Sequence, residues 1–156
     1  MKIMEFLEEG AVSCELKAEA KEGVIRELVS LLVKAGSIKE KDVQKLVRIL
    51  LDREALGSTG IGQGVAIPHG KSDCVAHLVG AVGISASGLN FGSLDGEPTR
   101  VFFLLVAPED SAGPHLKALA RISRLLKERH FRDSLLAAKD AKTLIKILRD
   151  EDQRYR

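Results

Sequence analysis

The sequence predicts an α/β fold, a three-layer α/β/α sandwich around a mixed β-sheet. Two segments carry that expectation, "LVGAVGIS" at 78–85 and "RVFFLLVA" at 100–107. Each is a near-continuous apolar run of strand length, the pattern of a strand covered on both faces. The third observation is their setting: segments of helical period precede and follow them, so helices are available to cover both faces of a sheet. With 156 residues the chain can bury a full core. No internal repeat, low-complexity tract or linker divides it, and one domain over residues 1–156 is expected.

The elements follow in order. Residues 22–35 place Val24, Leu28, Leu31, Leu32 and Ala35 at helical spacing, stopped by Gly36. A second helix is predicted from about Glu40 to Leu56, with Val43, Leu46, Val47 and Leu50 on one face and Gly57 at its end. Ser37 is placed to cap it, with Glu40 at the capping-box position. Glycine then alternates with small β-branched residues from Gly60 to Ile67, which suits a loop entering a short strand. After the strand at 78–85, "SGLNFGSLDGEP" is a turn-rich connection, with Asp95-Gly96 its strongest turn signal. A third helix is expected to start near Pro114, where proline is tolerated in a first turn, and to carry Leu116, Leu119, Ile122 and Leu126. Residues 131–138 and 140–150 read as closing helices, the last anchored by Leu144, Ile145 and Leu148.

Composition excludes several function classes. At 45% hydrophobic and 29% charged the chain is ordinary for a folded domain. Its formal charge of +2, with 4% aromatics and no tryptophan, lacks the basic, aromatic-interleaved face of a nucleic-acid binder. Nucleic acid is therefore not expected as a partner. Cys14 and Cys74 do not suggest a disulfide framework and read as reduced thiols. The opening "MKIMEFLEEGAVS" has acidic residues where a signal peptide needs an apolar core. No apolar run approaches the ~20 residues of a membrane span. A cytoplasmic protein without direct membrane insertion is the expectation.

The chemistry concentrates in "STGIGQGVAIPHGKS", residues 58–72. Its glycines do not make a nucleotide loop. Gly64 and Gly70 are separated by five residues where a Walker loop needs four, and Val65 stands where a dinucleotide fingerprint needs its third glycine. His69 follows "VAIP" at the end of the predicted strand, held between Pro68 and Gly70; the alternative is a plain surface histidine. His115 stands at the start of the third helix, where free N–H groups favour an anion and disfavour a protonated imidazole. An exposed first-turn residue is the alternative there. His69, Cys74 and His77 match no zinc-ligand spacing, so no metal is expected. His130 sits among charges at a helix end. Ser72 and Asp73 lack a nucleophile elbow, which leaves no catalytic triad.

A neutral imidazole is a competent phosphoryl acceptor near pH 7, and phosphoryl transfer asks mainly for positioning and for stabilisation of spread negative charge. Gly60, Gly62 and Gly64 could open backbone N–H groups to a phosphate as an anion nest, with Ser58 and Thr59 adding hydroxyls. Arg53, at the end of the second helix, could bring a planar guanidinium; the alternative is a helix-end charge favourable to the dipole.

These residues carry a resemblance. "REALGSTGIGQGVAIPHGKSD", residues 53–73, resembles the active-site segment of the fructose/mannitol-type enzyme IIA domains of the bacterial phosphoenolpyruvate-dependent phosphotransferase system. "GEPTRVFFLLVAPEDSAGPHLKALARISRLL", residues 96–126, resembles that family's strand, loop and second-histidine helix. The resemblance implies the family's three-layer domain and a phosphotransferase with a phosphohistidine intermediate. His69 would take the phosphoryl group from the histidine of the phosphocarrier HPr, or a relative of it, and pass it to a IIB domain. His115 would correspond to the supporting histidine, Arg53 to the active-site arginine and Thr59 to the threonine beside the glycine loop. It implies no metal and no organic cofactor. Two branches are open, a nitrogen-related regulator that binds target proteins according to its phosphorylation state and a sugar-transport subunit. The free-standing length leans to the regulator. A binding module that turns over no phosphate is the rival class, and the presence of His69 and Arg53 argues against it.

Overall fold

The computed structural model describes residues 1–155. A short 3-10 turn, Ile3–Glu5, leads into β1 (Leu7–Ser13), then α1 (Lys21–Lys34) and α2 (Val43–Ala55). Three short strands follow, β2 (Gly60–Gly62), β3 (Val65–Ala66) and β4 (His69–Lys71), before the two long ones, β5 (Val79–Leu89) and β6 (Thr99–Ala107). The chain closes with α3 (Ala112–Leu126), α4 (Arg129–Ala137) and α5 (Ala141–Arg154).

The sheet runs β1-β5-β6-β3-β2, and β4 also pairs with β6. It is mixed, as expected. β5 and β6 are antiparallel, β1 is parallel to β5, and β3 and β4 both run parallel to β6. Side chains alternate across β6 because successive residues of a strand point to opposite faces. Val101, Phe103, Leu105 and Ala107 join one core with α3, α4 and α5. Phe102, Leu104 and Val106 join a second core with α1 and α2. The apolar run therefore feeds two cores at once, and helices on both faces make the three layers. Each fully buried Leu or Phe contributes about 1.5–3 kcal/mol by leaving water.

One strand was not anticipated, and two local expectations are corrected. β1, "LEEGAVS", lacks the apolar density of the other strands because it is an edge strand, with Glu9 and Gly10 exposed and Ala11 and Val12 buried. Ser37 does not open the second helix. Gly36 takes a φ of +82°, and the N–H groups of Gly36 and Ser37 donate to Val33 O and Leu32 O, both at 2.9 Å. That is a Schellman ending, which places Ser37 beyond the C-terminus of α1. α2 begins at Val43 after a 3-10 turn, Glu40–Asp42. The segment 60–67 is a hairpin: β2 and β3 are joined by Gln63 and Gly64 at φ of 58° and 78°, the left-handed pair that a type I′ turn requires.

The inner face of α3 is set by packing. Its buried residues are His115, Ala118, Ile122, Leu125 and Leu126, while Leu116 is 67% exposed. Ile122 and Leu126 face inward and Leu119 packs against the same core, so the difference lies in the first turn, where His115 faces inward and Leu116 does not. His115 is thereby carried into the protein rather than out to solvent.

Candidate active site

His69 opens β4 instead of following a strand. Its backbone pairs with Leu105 of β6, and Pro68 O accepts from Leu105 N at 2.9 Å. Val65 and Ile67 belong to the core on the α3 side, and the period of two carries His69 to that side as well. Gly70 then faces α2, where a Cβ would stand 3.1 Å from Ile49 Cγ2. The half-buried His69 ring meets that of His115 edge to face, with centroids 5.5 Å apart.

The tautomer of His69 follows from one hydrogen bond. Nδ1 lies 2.7 Å from Ile67 O, and a carbonyl oxygen only accepts, so Nδ1 carries the proton and donates. Nε2 keeps its lone pair. Burial lowers the pKa of His69 below the usual histidine value, and the positive charge of Arg53 lowers it further. The Ile67 carbonyl and Glu54 act in the opposite direction. His115 is only 5% exposed, and its pKa is lowered to about 4, first by burial and then by the charges of His69 and Lys71. Both imidazoles are neutral at pH 7. The Nδ1 of His115 is buried and has no hydrogen-bond partner among the described residues.

Arg53 lies in the last turn of α2 and donates from Nη1 to Gly57 O at 2.8 Å. The structure thus sets His69 against His115 and puts the charge of Arg53 within electrostatic reach of His69. It divides the expected phosphate loop. Thr59 is buried, and its N–H and hydroxyl both donate to Glu54, the N–H at 3.0 Å from Oε1. Ser58 Oγ donates to Phe91 O at 2.9 Å and accepts from Gly60 N. Gly62 and Gly64 lie elsewhere: Val65 pairs with Val101 and His69 with Leu105, which separates the two ends by about 13 Å of strand. A groove of about 710 Å³ is lined by Gly64, Gln63, Arg100, Arg129 and Arg132, and none of His69, His115 and Arg53 lines it. The glycines at 62 and 64 build a hairpin turn, not a cradle around His69. Gln63 N donates to Asp95 there, at 2.9 Å from Oδ2.

Glu54 is the residue that pattern reading missed. It is 6% exposed, bonded to Thr59 and paired with Lys21 Nζ at 3.1 Å. A signal was present, since Glu54 falls on the apolar stripe of Leu46, Val47 and Leu50. His77 and His130 are exposed and stand apart from the site. Among the described residues no group of three or more His, Cys, Asp or Glu converges as metal ligands, and no helix is long and apolar enough to cross a membrane.

Comparison with known proteins gives the family. Residues 5–151 match the family model described as the phosphoenolpyruvate-dependent sugar phosphotransferase system, EIIA 2. The fructose-specific EIIABC component of Bacillus subtilis is 38% identical over 98% of this chain, and the match spans 24% of that protein's length. A nitrogen regulatory protein of Bradyrhizobium diazoefficiens is 36% identical over 95% of both chains. The crystal structure of the nitrogen regulatory protein IIA-Ntr from Neisseria meningitidis superposes with a TM-score of 0.83 at 33% identity, covering 94% of this chain and 98% of that one. On the matched residues and the shared fold, this chain belongs to the type-2 EIIA family of the phosphoenolpyruvate-dependent sugar phosphotransferase system.

Proposed function

We propose that this protein is a phosphocarrier that accepts a phosphoryl group on Nε2 of His69. The observation that carries this is the Nδ1–H bond to Ile67 O, which leaves Nε2 unprotonated on a neutral ring beside Arg53 and His115. In the transfer, the Nε2 lone pair attacks phosphorus and the P–N bond to the donor histidine breaks, its electron pair returning to that ring. His69 keeps its Nδ1 proton on the Ile67 carbonyl throughout. Arg53 has guanidinium donors beyond the Nη1 held by Gly57, and neutral His115 has one N–H to give to a phosphoryl oxygen. Thr59 O accepts from Ile67 N at 3.0 Å, two residues before His69.

The donor in this reading is an HPr-like phosphocarrier, and the onward acceptor is an EIIB domain or a regulated target protein in the cytoplasm. We lean to the regulatory branch on the likeness to nitrogen regulatory proteins over nearly the whole of both chains. The 38% identity to a fructose-specific EIIABC component favours the transport reading. Intact mass after incubation with phosphoenolpyruvate, enzyme I and HPr tests the common ground. An acid-labile gain of one phosphoryl group, absent in His69→Ala and assigned to Nε2 by phosphorus NMR, is expected. No gain with either general or nitrogen-branch donors would overturn the reading in favour of a binding module. Onward transfer to fructose- or mannitol-type IIB domains would select transport.

A further inference from the structure

We propose that Glu54 is a positioning residue that fixes the tautomer and orientation of His69 through Thr59 and Ile67. The proposal rests on His69 being the phosphoryl acceptor, and it assigns the part of the site that reaches that ring from within the protein.

The connection is a chain of hydrogen bonds. The Glu54 carboxylate accepts from Thr59 N, at 3.0 Å from Oε1 and 3.2 Å from Oε2, and from Thr59 Oγ1. Thr59 O accepts from Ile67 N at 3.0 Å. Ile67 O accepts from His69 Nδ1 at 2.7 Å. Every link is between groups that are buried or half-buried. Pro68 has no N–H, so no neighbouring donor of the same turn competes for these carbonyls, and its own carbonyl goes to Leu105 N. A histidine whose second nitrogen is fixed by a buried acceptor keeps one tautomer and one ring orientation. Here that acceptor is a peptide carbonyl, and the carboxylate acts on the peptide.

The carboxylate is itself held. Lys21 Nζ pairs with Oε2 at 3.1 Å and lies 4.7 Å from the centre of the Phe91 ring. A buried carboxylate is tolerated only when paired and hydrogen-bonded, and this one is both. Lys21 also offsets a negative charge that would otherwise repel an incoming phosphoryl group. α1 thus contributes to the site without touching His69. The charges facing His69 are Arg53 and Glu54, with Lys71 facing His115.

Nitrogen-resolved NMR of the His69 ring in the full, unphosphorylated chain reads the tautomer directly. Wild type is expected as Nδ1–H alone. Glu54→Ala is expected to give a mixture of tautomers and a maximal phosphorylation rate lower by roughly tenfold or more, with the donor KM unchanged. Glu54→Gln, which keeps an acceptor oxygen for Thr59, is expected to restore the single tautomer and most of the rate. If Glu54→Ala does not fold, the double variant Lys21→Met/Glu54→Leu, which leaves no unpaired charge inside, is read in its place. A single Nδ1–H tautomer with a rate within about twofold of wild type would overturn the proposal. A Glu54→Gln protein as impaired as Glu54→Ala would overturn it too, since charge rather than hydrogen bonding would then matter. The tautomer is read without any donor, so a failure of the phosphocarrier reading remains distinguishable from a failure of this one.

Discussion

His69 and His115 meet edge to face, their ring planes 84° apart and their centroids 5.5 Å apart. The two arrive from opposite sides of a seam, one from the short strand β4 and one from the first turn of α3. Burial first, and then the proximity of His69, lowers the pKa of His115, so His115 is neutral at pH 7. A donor N–H on His115 is then best used when negative charge builds on the phosphoryl oxygens. His115→Ala should slow phosphorylation of His69 by roughly 100-fold while leaving Nε2 the modified atom. Single-turnover mass spectrometry checks the rate, and phosphorus NMR checks the modified atom. A variant as fast as wild type would remove His115 from the chemistry.

The same burial makes stability depend on pH. The folded pKa of His115, about 4, lies below the unfolded value near 6.5, so the unfolded chain binds the proton first as pH falls. The contribution of neutral His115 is fully present above about pH 6.5 and is lost between there and about pH 4. Its size is on the order of 2–3 kcal/mol. His69 is shifted in the same direction and adds to the slope. Urea unfolding of wild type and His115→Gln at pH 7.5 and 4.5 separates this from carboxylate protonation. The variant should lose less stability across the interval, and equal losses would contradict the assignment.

The chain ends are tied together by Asp152, which is 1% exposed. Its carboxylate accepts from Ile3 N at 2.9 Å, Met4 N at 3.0 Å and the guanidinium of Arg121 at 2.9 Å. Asp152→Ala leaves two backbone donors and a guanidinium without that partner. It should cost about 3–5 kcal/mol in urea unfolding, with phosphorylation of the protein that remains folded unchanged.

Gly83 gives a packing prediction. A Cβ there would stand 2.6 Å from Leu16 Cδ1 and 2.8 Å from Leu16 Cγ, and Leu16 is itself buried and bonded through its N–H to Ile84 O. Gly83→Ala should therefore destabilise by about 1–3 kcal/mol, even though alanine suits a strand better than glycine does. A melting temperature equal to wild type would show that Leu16 can move aside freely.

Much of this protein is legible without its structure. Helical period marks α1, α2 and α5, continuous apolar runs mark β5 and β6, and the segments around Arg53, His69 and His115 carry the family resemblance. These are local signals, each written within a turn or two of chain. β1 escapes because an edge strand carries polar residues on its open side, and β4 escapes because three residues hold no period.

What the sequence alone determined is therefore the family and most of the segments that are helix or strand. Tertiary structure decided what their residues meet. It set the first turn of α3 so that His115, not Leu116, faces inward, and it sent Gly62 and Gly64 to the far end of the sheet from His69. It also buried Glu54 against Lys21, a partner 33 positions away in the chain. The physical reason is common to all three. A side chain's pattern states how it would rather be solvated, but the sheet register and helix packing, set by hundreds of square ångströms of apolar surface elsewhere, determine which partner it is given.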